Sequence, residues 1–435
     1  MAEKILQQLA ENAKLASYTL ASLTEEVKNQ ALELVAQTIE NNKELILAEN
    51  NKDLEAAQEM VNNGELSQSV YNRLKLDENK MRDMIQGIRD ISKLEDPVNK
   101  KLWAMRLDDG LDLFKVTCPI GVIGVIFEAR PDVIPQIASL AIKSSNAVLL
   151  KGGKEAQYTN TILAQIINDA LSKIKEFPKG AINLLYTRED VAEMLNMDKY
   201  IDLIIPRGGN ALVQYVKNNT KIPVLGHADG ICHIYIDETA DLSKAADICV
   251  DSKTQYPSAC NAVETILIHE CLLDSYLPEL VRKLRESDVI VKGDEKCKNI
   301  VSDIELAEKE DWATEYGDKI VSIKSVKDVF DAIAHINVYG SGHTDCILSQ
   351  DGYVIDLFMN LVDSAGVFAN TSTRFADGFR YGLGAEVGIS TSKTHARGPV
   401  GLEGLVIYKY KLYGHGQIVG DYCSGQKHFI HERLI

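Results

Sequence analysis

The sequence predicts an α/β protein with two parallel-sheet domains and a small β element. From Cys118 onward, short apolar runs alternate with helical patterns, in one series that starts at 122–127 and a second that starts at 233–236. Alternation of strand and helix at this pitch is typical of a parallel sheet covered on both faces. Asp109 and Gly110 stand between two strand-like segments, and Asp-Gly at such a place predicts a hairpin.

The hydrophobic spacing predicts the individual elements. Apolar residues recur at helical spacing over the first hundred residues, and Ser22 with Glu25 predicts a capping box at the second helix. Predicted strands are 122–127, 147–150, 182–185, 203–205, 233–236 and 263–269. Predicted helices among them are 135–144, 155–174, 188–196, 241–250 and 271–286. A β segment at 405–410 can pair with the hairpin at 105–116, within one chain or across subunits, and a domain boundary is predicted near 225–230.

The charge balance excludes some classes of partner. The chain has 435 residues, with 47 Lys and Arg against 63 Asp and Glu, a formal net charge of −16. This surplus repels nucleic acid and anionic membranes at long range, although it permits a local basic pocket for a small anion. The N-terminal segment lacks the apolar run of a signal peptide, and the longest apolar stretch, near 119–127, is too short to span a bilayer. A cytoplasmic protein with no nucleic-acid or membrane partner is therefore expected.

One of the eight cysteines has unusual surroundings. No Cys-x-x-Cys pair is present and no cysteine stands at zinc-ligand spacing from a histidine, so no metal site is predicted. Several cysteines sit in apolar runs, as small buried residues of a reducing compartment do. Cys260 instead follows Pro257 among small and polar residues, just before a predicted strand, which favours an accessible loop thiol. No histidine is near it in sequence, so a thiolate there would depend on backbone N–H groups and a cofactor's charge. From the residues alone, Cys260 is either a nucleophile or a packing residue.

The glycines do not form a standard dinucleotide or phosphate fingerprint. Gly382 and Gly414 each begin a Gly-x-Gly whose third glycine comes one residue late, and neither opens a βαβ unit. The segments 151–154 (KGGK) and 207–210 (RGGN) directly follow predicted strands, where ligands bind in open α/β sheets. They are either phosphate and ribose sites or ordinary turns with solvated cations.

Motifs spread over most of the span 110–405 resemble a known family. They are CPIGVIGVIFEARPDV (118–133), SNAVLLKGGKEA (145–156), DLIIPRGGNALV (202–213), PVLGHADGICHIYID (223–237), YPSACNAVET (256–265), YGSGHTDCI (339–347) and GLGAEVGISTSKTHARGPVGLEGL (382–405). Their order resembles the aldehyde dehydrogenase superfamily, and in detail the branch that reduces the acyl phosphate L-glutamate 5-phosphate in proline biosynthesis.

The resemblance implies an aldehyde dehydrogenase-like fold and reversible, NADPH-dependent reduction of glutamate 5-phosphate to glutamate 5-semialdehyde and phosphate. Cys260 matches the family nucleophile, which forms a thioester as phosphate leaves, and its backbone N–H is the expected oxyanion donor. Lys151 matches the lysine that holds the adenosine ribose, and Lys154 adds a cation for a 2′-phosphate, which favours NADPH over NADH. The expected cofactor-binding residues are Lys151, Gly153, Lys154, Arg207, Gly208 and Gly209.

Two departures from the wider superfamily fit this branch. Hydrolytic relatives carry a glutamate that activates water on the thioester, whereas residues 224–227 here contain none and the next carboxylate is Asp229. Arg130 replaces an oxyanion-binding asparagine and fits a charge-assisted fork on the leaving phosphate. The alternative for Arg130 is an ion pair with Glu128 or Asp132.

The resemblance also offers residues for the glutamate α-carboxylate. Besides Arg130, the expected substrate-binding residues are Asn370, Thr371, Ser372 and Arg374. Arg374 could equally pair with Asp377. His227 and His233 lie in a family motif, but the commoner role of such histidines is structural.

The resemblance extends to domains and partners. The implied domains are cofactor-binding at 1–103 and 117–226, catalytic at 227–395, and an oligomerisation β element at 104–116 and 400–420. A small-molecule substrate and a homo-oligomer are expected, and a glutamate 5-kinase partner is left open. A hydrolytic aldehyde dehydrogenase is disfavoured by the missing glutamate, and a non-catalytic interaction protein is disfavoured by the intact Cys260 and Lys151.

Overall fold

The computed structural model describes residues 2–186, 189–227 and 229–435. The chain divides into two compact units, the first comprising Met1–Leu225 and Val400–Ile435 and the second Gly226–Pro399. Among the described residues, no helix combines the length and apolar character that a membrane span requires. The assignment of cofactor binding and catalysis to separate domains stays a prediction.

The predicted strands and helices are present in the predicted order, among further elements between residues 290 and 400 for which the spacing made no prediction. The helices are α1 (Ala2–Leu20), α2 (Glu25–Asn41), α3 (Lys43–Asn62), α4 (Gln68–Leu74), α5 (Glu78–Lys93), α6 (Val133–Ser144), α7 (Gln157–Leu171), α8 (Glu189–Met194), α9 (Asn210–Asn218), α10 (Leu242–Thr254), α11 (Leu273–Glu286), α12 (Glu295–Ile300), α13 (Val329–Tyr339), α14 (Gly352–Leu361) and α15 (Val419–Cys423). The strands are β1 (Lys101–Asp108), β2 (Leu111–Pro119), β3 (Val122–Phe127), β4 (Ala147–Lys151), β5 (Ile182–Leu185), β6 (Leu203–Arg207), β7 (Cys232–Ile236), β8 (Val263–His269), β9 (Ile290–Gly293), β10 (Glu305–Leu306), β11 (Ile320–Val326), β12 (Thr344–Leu348), β13 (Gly366–Ala369), β14 (Gly388–Ser390), β15 (Gly398–Val400), β16 (Val406–Tyr413) and β17 (Glu432–Arg433).

The N-terminal helices are present, but the predicted capping box is wrong. Helix α2 starts at Glu25, and Thr24 is its N-cap, with a side-chain oxygen that accepts from the Val27 N–H at 3.5 Å. Ser22 instead donates its hydroxyl to the Thr19 carbonyl at 2.7 Å. A capping box needs the glutamate at the third helical position, and Glu25 is at the first.

The predicted hairpin is confirmed, and the C-terminal strand extends it. Strands β1 and β2 pair antiparallel, and Gly110 takes a φ of +66° in the turn between them. Strand β16 runs antiparallel along β2, with Val406 opposite Pro119 and Tyr413 opposite Asp112. The predicted pairing of tail and hairpin therefore forms within one chain.

The first unit contains a parallel sheet of order β5-β4-β3-β6. The strands predicted at 122–127 and 182–185 have those bounds, while β4 and β6 extend one and two residues beyond their predicted ends. The helix predicted at 188–196 is α8, although Arg188 lies outside the described residues. The strand order reverses between β3 and β6, and ligands of open α/β sheets bind at such a reversal, beyond the carboxyl ends of the strands.

The second unit contains a parallel sheet of order β10-β9-β11-β8-β7-β12-β13. Apolar side chains cover both of its faces: Ile234 and Ile266 belong to one buried cluster, and their neighbours Tyr235 and Leu267 belong to another. This alternation follows from the two-residue period of a strand. The predicted α/β architecture of parallel sheets is confirmed.

Candidate active site

Cys260 lies between α10 and β8, in a loop that packs closely on the chain before β7. A Cβ added at Gly230 would lie 2.1 Å from the Cys260 carbonyl oxygen and 2.5 Å from its Cα. A glycine is needed for backbone segments to approach this closely. The thiol of Cys232, the first residue of β7, donates to the same carbonyl at 3.3 Å. The loop is thus fixed on the amino end of β7.

The segment 370–376 is hydrogen-bonded to the Cys260 loop. The Thr373 hydroxyl donates to the Asn261 carbonyl at 2.7 Å. The Asn261 side-chain amide donates in return to the Ala376 carbonyl at 2.8 Å. Two segments more than a hundred residues apart in sequence therefore form one rigid cluster.

Arg374 places a buried cation in this cluster. It is 8% exposed, its Nε donates to Gln255 Oε1 at 2.9 Å, and its guanidinium carbon lies 5.9 Å from the Tyr256 ring centroid. In the part of the chain that the structure describes, it forms no ion pair with Asp377. Its segment is hydrogen-bonded to Asn261, the neighbour of Cys260, so the predicted nucleophile and this predicted substrate residue belong to one cluster.

Ser372 and Asn370, two of the other three predicted residues of this segment, have backbone partners. The buried Ser372 hydroxyl accepts from the Arg374 N–H at 3.3 Å and so starts a short helical turn. The Asn370 amide accepts from the Ser349 N–H at 3.0 Å and donates to the Ser349 carbonyl at 2.8 Å. These two hydrogen bonds hold Asn370 beside the end of β12. To bind the substrate through its side chain, Asn370 would have to give them up, which costs free energy.

The Cys260 thiol is protonated in the free protein. Burial, followed by the carboxylates of Glu315 and Glu386, raises its pKa to about 12, and Arg374 opposes them. Part of the residue is nevertheless open to solvent. Because the thiolate is the nucleophile, the thiol needs a proton acceptor when substrate binds.

Two imidazoles stand beside this thiol. Sγ of Cys260 and one ring nitrogen each of His227 and His343 lie within 4.8 Å of one another. His227 Nδ1 lies 3.0 Å from the Ile389 carbonyl, which only accepts, so Nδ1 carries a proton and donates it to that carbonyl. His343 is buried, and both burial and His227 hold its pKa well below the ordinary value, so its ring is neutral.

The remaining motif histidine, His233, has a structural environment. It is fully buried, and its Nδ1 lies 2.9 Å from Asp345 Oδ1 on the neighbouring strand β12. This agrees with the commoner role expected for it. His227, which had the same expectation, lies instead at the thiol.

The predicted cofactor residues lie in the first unit, at the carboxyl edge of its sheet. Lys151 ends β4, is 7% exposed, and donates its Nζ to the Gly152 carbonyl. Lys154 is exposed one turn later. A buried ammonium beside a glycine turn at this edge suits the hydroxyl and phosphate groups of a dinucleotide, so these residues fit such a cofactor.

The loops at the strand reversal contain the other predicted cofactor residues. Arg207 Nη1 donates to Gln136 Oε1 of α6 at 2.7 Å. The Gly209 N–H, at the start of α9, donates to Glu128 Oε2 at 3.2 Å, so a carboxylate already occupies the place where the sequence suggested an anionic ligand. In the described ranges, Arg130 makes no ion pair with Glu128 or Asp132. Nothing in that loop therefore favours the ion-pair alternative for Arg130.

Comparison with known proteins identifies the family. The model of the aldehyde dehydrogenase family matches residues 2–315. The chain is 59% identical over 429 residues to gamma-glutamyl phosphate reductase of Brachyspira hyodysenteriae, covering 99% of each chain. The chain belongs to the aldehyde dehydrogenase family. It is also 52% identical to gamma-glutamyl phosphate reductase of Ruminiclostridium cellulolyticum, covering 99% of this chain and 98% of that protein.

Solved structures agree with this family. The crystal structure of gamma-glutamyl phosphate reductase from Thermotoga maritima has a TM-score of 0.92 and 38% identity, covering 95% of this chain and 99% of that chain. An acetylating aldehyde dehydrogenase from Geobacillus thermoglucosidasius, at 18% identity and a TM-score of 0.64, shares the fold. The resemblance and the aldehyde dehydrogenase-like fold stated from the sequence are confirmed.

Sequence reasoning missed one residue of this aldehyde dehydrogenase site and misplaced another. His343 stands in the motif YGSGHTDCI but received no role, and His227 was expected to be structural. That backbone groups and the cofactor assist Cys260 stays a prediction, and the two imidazoles that adjoin the thiol are an addition to it. The signal was present as histidines in family motifs, but proximity across 33 and 83 positions of sequence is not visible without the fold.

Proposed function

We propose that this aldehyde dehydrogenase reduces L-glutamate 5-phosphate to L-glutamate 5-semialdehyde and phosphate with NADPH, in proline biosynthesis. Relatives named gamma-glutamyl phosphate reductase match it over 98% to 99% of their length, which supports this substrate. The single observation that carries the chemistry is that the segment of the buried Arg374 cation is hydrogen-bonded to the Cys260 loop through Asn261. A fixed cation beside a nucleophile suits a substrate that is anionic at both ends.

Cys260 is the proposed nucleophile. Its thiol proton passes to a ring nitrogen of His227, which lies within 4.8 Å of Sγ. The sulfur then bonds to the acyl carbon, the bond from carbon to the phosphate oxygen breaks, and its electron pair leaves with phosphate. The Cys260 backbone N–H stabilises the oxyanion of this step, and a thioester on Cys260 results.

The remaining residues bind the two ligands. NADPH, when bound, supplies the hydride that reduces the acyl group to the aldehyde level. Lys151 binds the adenosine ribose and Lys154 the 2′-phosphate, with backbone groups of Gly153 and of the 207–209 turn alongside. Arg130 binds the phosphate of the substrate, and the proposed ligands of the α-carboxylate are Arg374, Ser372 and Asn370.

The thioester is reserved for phosphate because residues 224–227 contain no carboxylate to activate water. In the reverse direction, inorganic phosphate must therefore attack the thioester. We expect oxidation of glutamate 5-semialdehyde to require phosphate and to proceed faster with NADP⁺ than with NAD⁺. The assay follows reduced cofactor with and without phosphate; turnover that ignores phosphate and releases free glutamate would identify a hydrolytic aldehyde dehydrogenase instead.

A cysteine substitution tests the nucleophile. Cys260→Ser should lower kcat by about a thousandfold or more, because covalent catalysis is lost, while NADPH still binds. Steady-state kinetics and fluorescence titration of NADPH measure the two effects. Cys423→Ser, which alters an exposed cysteine of the first unit, is the matched control and should keep full turnover. Ordinary turnover in Cys260→Ser would overturn the mechanism.

We also propose that the enzyme works in the cytoplasm. All eight of its cysteines lie in described parts of the chain and are free thiols. Free thiols on the surface, such as Cys271 and Cys423, suit a reducing compartment.

A further inference from the structure

The cluster around Cys260 has the ligand set of a metal site. Sγ of Cys260 and a ring nitrogen each of His227 and His343 lie within 4.8 Å of one another. One sulfur and two imidazole nitrogens form a set that Zn²⁺ prefers in proteins. From this geometry we infer that Cys260, His227 and His343 bind Zn²⁺ reversibly, and that the bound ion inhibits the enzyme.

The buried imidazole provides an independent observation. His343 is only 1% exposed, and its buried Nε2 has no hydrogen-bond partner among the described residues. Its Nδ1 lies 2.9 Å from the Thr344 hydroxyl. The hydroxyl can accept a hydrogen bond from the Nδ1 proton, which leaves the Nε2 lone pair to a metal. An orphaned buried nitrogen is costly, and a metal bond would satisfy it.

The second imidazole is already oriented for metal binding. His227 Nδ1 donates to the Ile389 carbonyl at 3.0 Å, so Nε2 is the ring nitrogen left to bind a metal. A ligating histidine usually donates its other N–H to a carbonyl or carboxylate in this way. The two rings are nearly perpendicular, with an interplanar angle of 79° and centroids 4.9 Å apart.

Charge and access also favour a cation. The carboxylates of Glu315 and Glu386 act on the Cys260 thiol, and the single cation Arg374 opposes them. Cys260 and His227 are partly open to solvent, so an ion can enter. Three protein ligands leave a fourth position of a tetrahedral ion for water, which is the arrangement of an exchangeable site.

Binding is a simple exchange of a proton for a metal ion. Zn²⁺ bonds to Sγ of Cys260, and the thiol proton leaves to solvent, with no change of oxidation state. The sulfur lone pair is then engaged and cannot attack an acyl carbon. Removal of the ion by a chelator restores the thiol, so the inhibition is reversible.

Cobalt gives a readout that does not depend on turnover. The reduced full-length protein, stripped with a chelator, is titrated with Co²⁺ as a spectroscopic substitute for Zn²⁺. A thiolate-to-cobalt charge-transfer band should appear in the near ultraviolet, saturate at about one equivalent, and vanish when Zn²⁺ displaces the cobalt. Absence of the band overturns the inference. Because no substrate is present, failure of the proposed reduction would not affect this result.

Matched variants locate the ion. Cys260→Ser should abolish the band, and His343→Gln and His227→Gln, which keep the thiol, should each weaken cobalt binding about tenfold or more. Cys271→Ser is the control, since Cys271 belongs to a separate group with Glu238 and His269. A band that persists in Cys260→Ser, is lost in Cys271→Ser, or ignores both histidine variants overturns the assignment. Circular dichroism checks that each variant is folded, and chelator-reversible Zn²⁺ inhibition of turnover should be equal in the wild type and Cys271→Ser.

Discussion

The Cys260 thiol combines access with suppressed reactivity. Burial raises its pKa to about 12, although part of the residue reaches solvent. Since the thiolate is the species that oxidants and electrophiles attack, the free protein protects its nucleophile until a substrate and a proton acceptor meet there. The surroundings of Cys260 therefore set its reactivity, which the presence of a cysteine alone does not explain.

Lys154 is the residue expected to select the cofactor. It is exposed at the edge of the first sheet, where a 2′-phosphate would form a charge-assisted hydrogen bond. We expect Lys154→Ala to raise KM for NADPH about tenfold and to leave KM for NADH nearly unchanged. Lys173→Ala removes an exposed lysine of the same unit and is the control for net charge. Equal changes for both cofactors would refute the 2′-phosphate role.

His335 makes stability depend on acid. Burial lowers its pKa to about 2, and the adjacent His233 and Lys324 add to this effect; Lys324 Nζ lies 3.0 Å from its Nδ1. The folded state keeps the ring neutral, whereas the unfolded chain protonates it below about pH 6.5. As the pH falls below that value, this residue should therefore lower the free energy of unfolding by about 1.4 kcal/mol per pH unit.

The test compares how steeply the free energy of unfolding changes with pH in each protein, rather than its value at one pH. Urea unfolding between about pH 7 and about pH 5 should give a smaller loss of stability in His335→Gln than in the wild type. His428→Gln, which replaces an exposed histidine, should keep the wild-type slope. Identical slopes in all three proteins would show that His335 is protonated in the folded state.

At the scale of elements, the position of the nucleophile depends on a close contact between two segments. The chain just before β7 packs against the Cys260 loop. The nearest atoms to an added Cβ at Gly230 are backbone atoms of Cys260, which cannot rotate away as a side chain can. Any larger residue must push the two segments apart. The loop is also tied to residues 370–376 through Asn261, so a displacement would extend to Arg374.

Gly230→Ala should therefore lower kcat strongly and lower the temperature of thermal unfolding only slightly. A shift of about 1 Å at a reacting atom can lower kcat about a hundredfold, and we expect a loss of that order. Kinetics and thermal unfolding measure the two effects. Gly352→Ala is the control, because a Cβ there meets nothing within 4 Å and the residue starts helix α14 of the same unit. Normal kcat in Gly230→Ala would show that the loop position is not critical.

The elements were more predictable than the site. The strands at 122–127, 182–185 and 263–269 have their predicted bounds, because buried parallel strands are continuous apolar runs between glycine-rich or polar turns. The cap of α2 was missed because Ser22 and Thr24 are both good N-caps, and the choice depends on where the preceding helix ends. The approach of His343 to Cys260 depends on how the strands of the second sheet are ordered, which local spacing does not determine.

At the scale of the whole molecule, strand β16 is an exposed edge. It closes one side of the sheet β16-β2-β1-β17, and consecutive residues 407–410 are exposed on both of its faces. A long exposed edge strand is prone to pair with another chain unless it is covered. The predicted role of this β element in a homo-oligomer is consistent with that property and stays a prediction.

Substitutions on β16 test the oligomer. Tyr410 and Leu412 are 58% and 55% exposed, and the double variant Tyr410→Lys/Leu412→Lys should lower the mass of the assembly by adding repelling charges to the edge. Size-exclusion chromatography with light scattering measures the mass. Leu15→Lys changes a leucine on α1 that is 65% exposed and should leave the mass unchanged. An unchanged mass in the double variant would place the interface elsewhere.

The return of the C-terminal segment to the first unit has a consequence for synthesis on the ribosome. The second unit, Gly226–Pro399, is continuous, whereas the first needs Val400–Ile435 to complete it. Domains fold as units while translation proceeds. The unit that contains the nucleophile can therefore fold while β2 still lacks β16, and the earlier-made unit is the last to be finished. Until β16 has been made, the nascent chain exposes an unpaired edge at β2, and this is where chaperones or premature association with another chain would act.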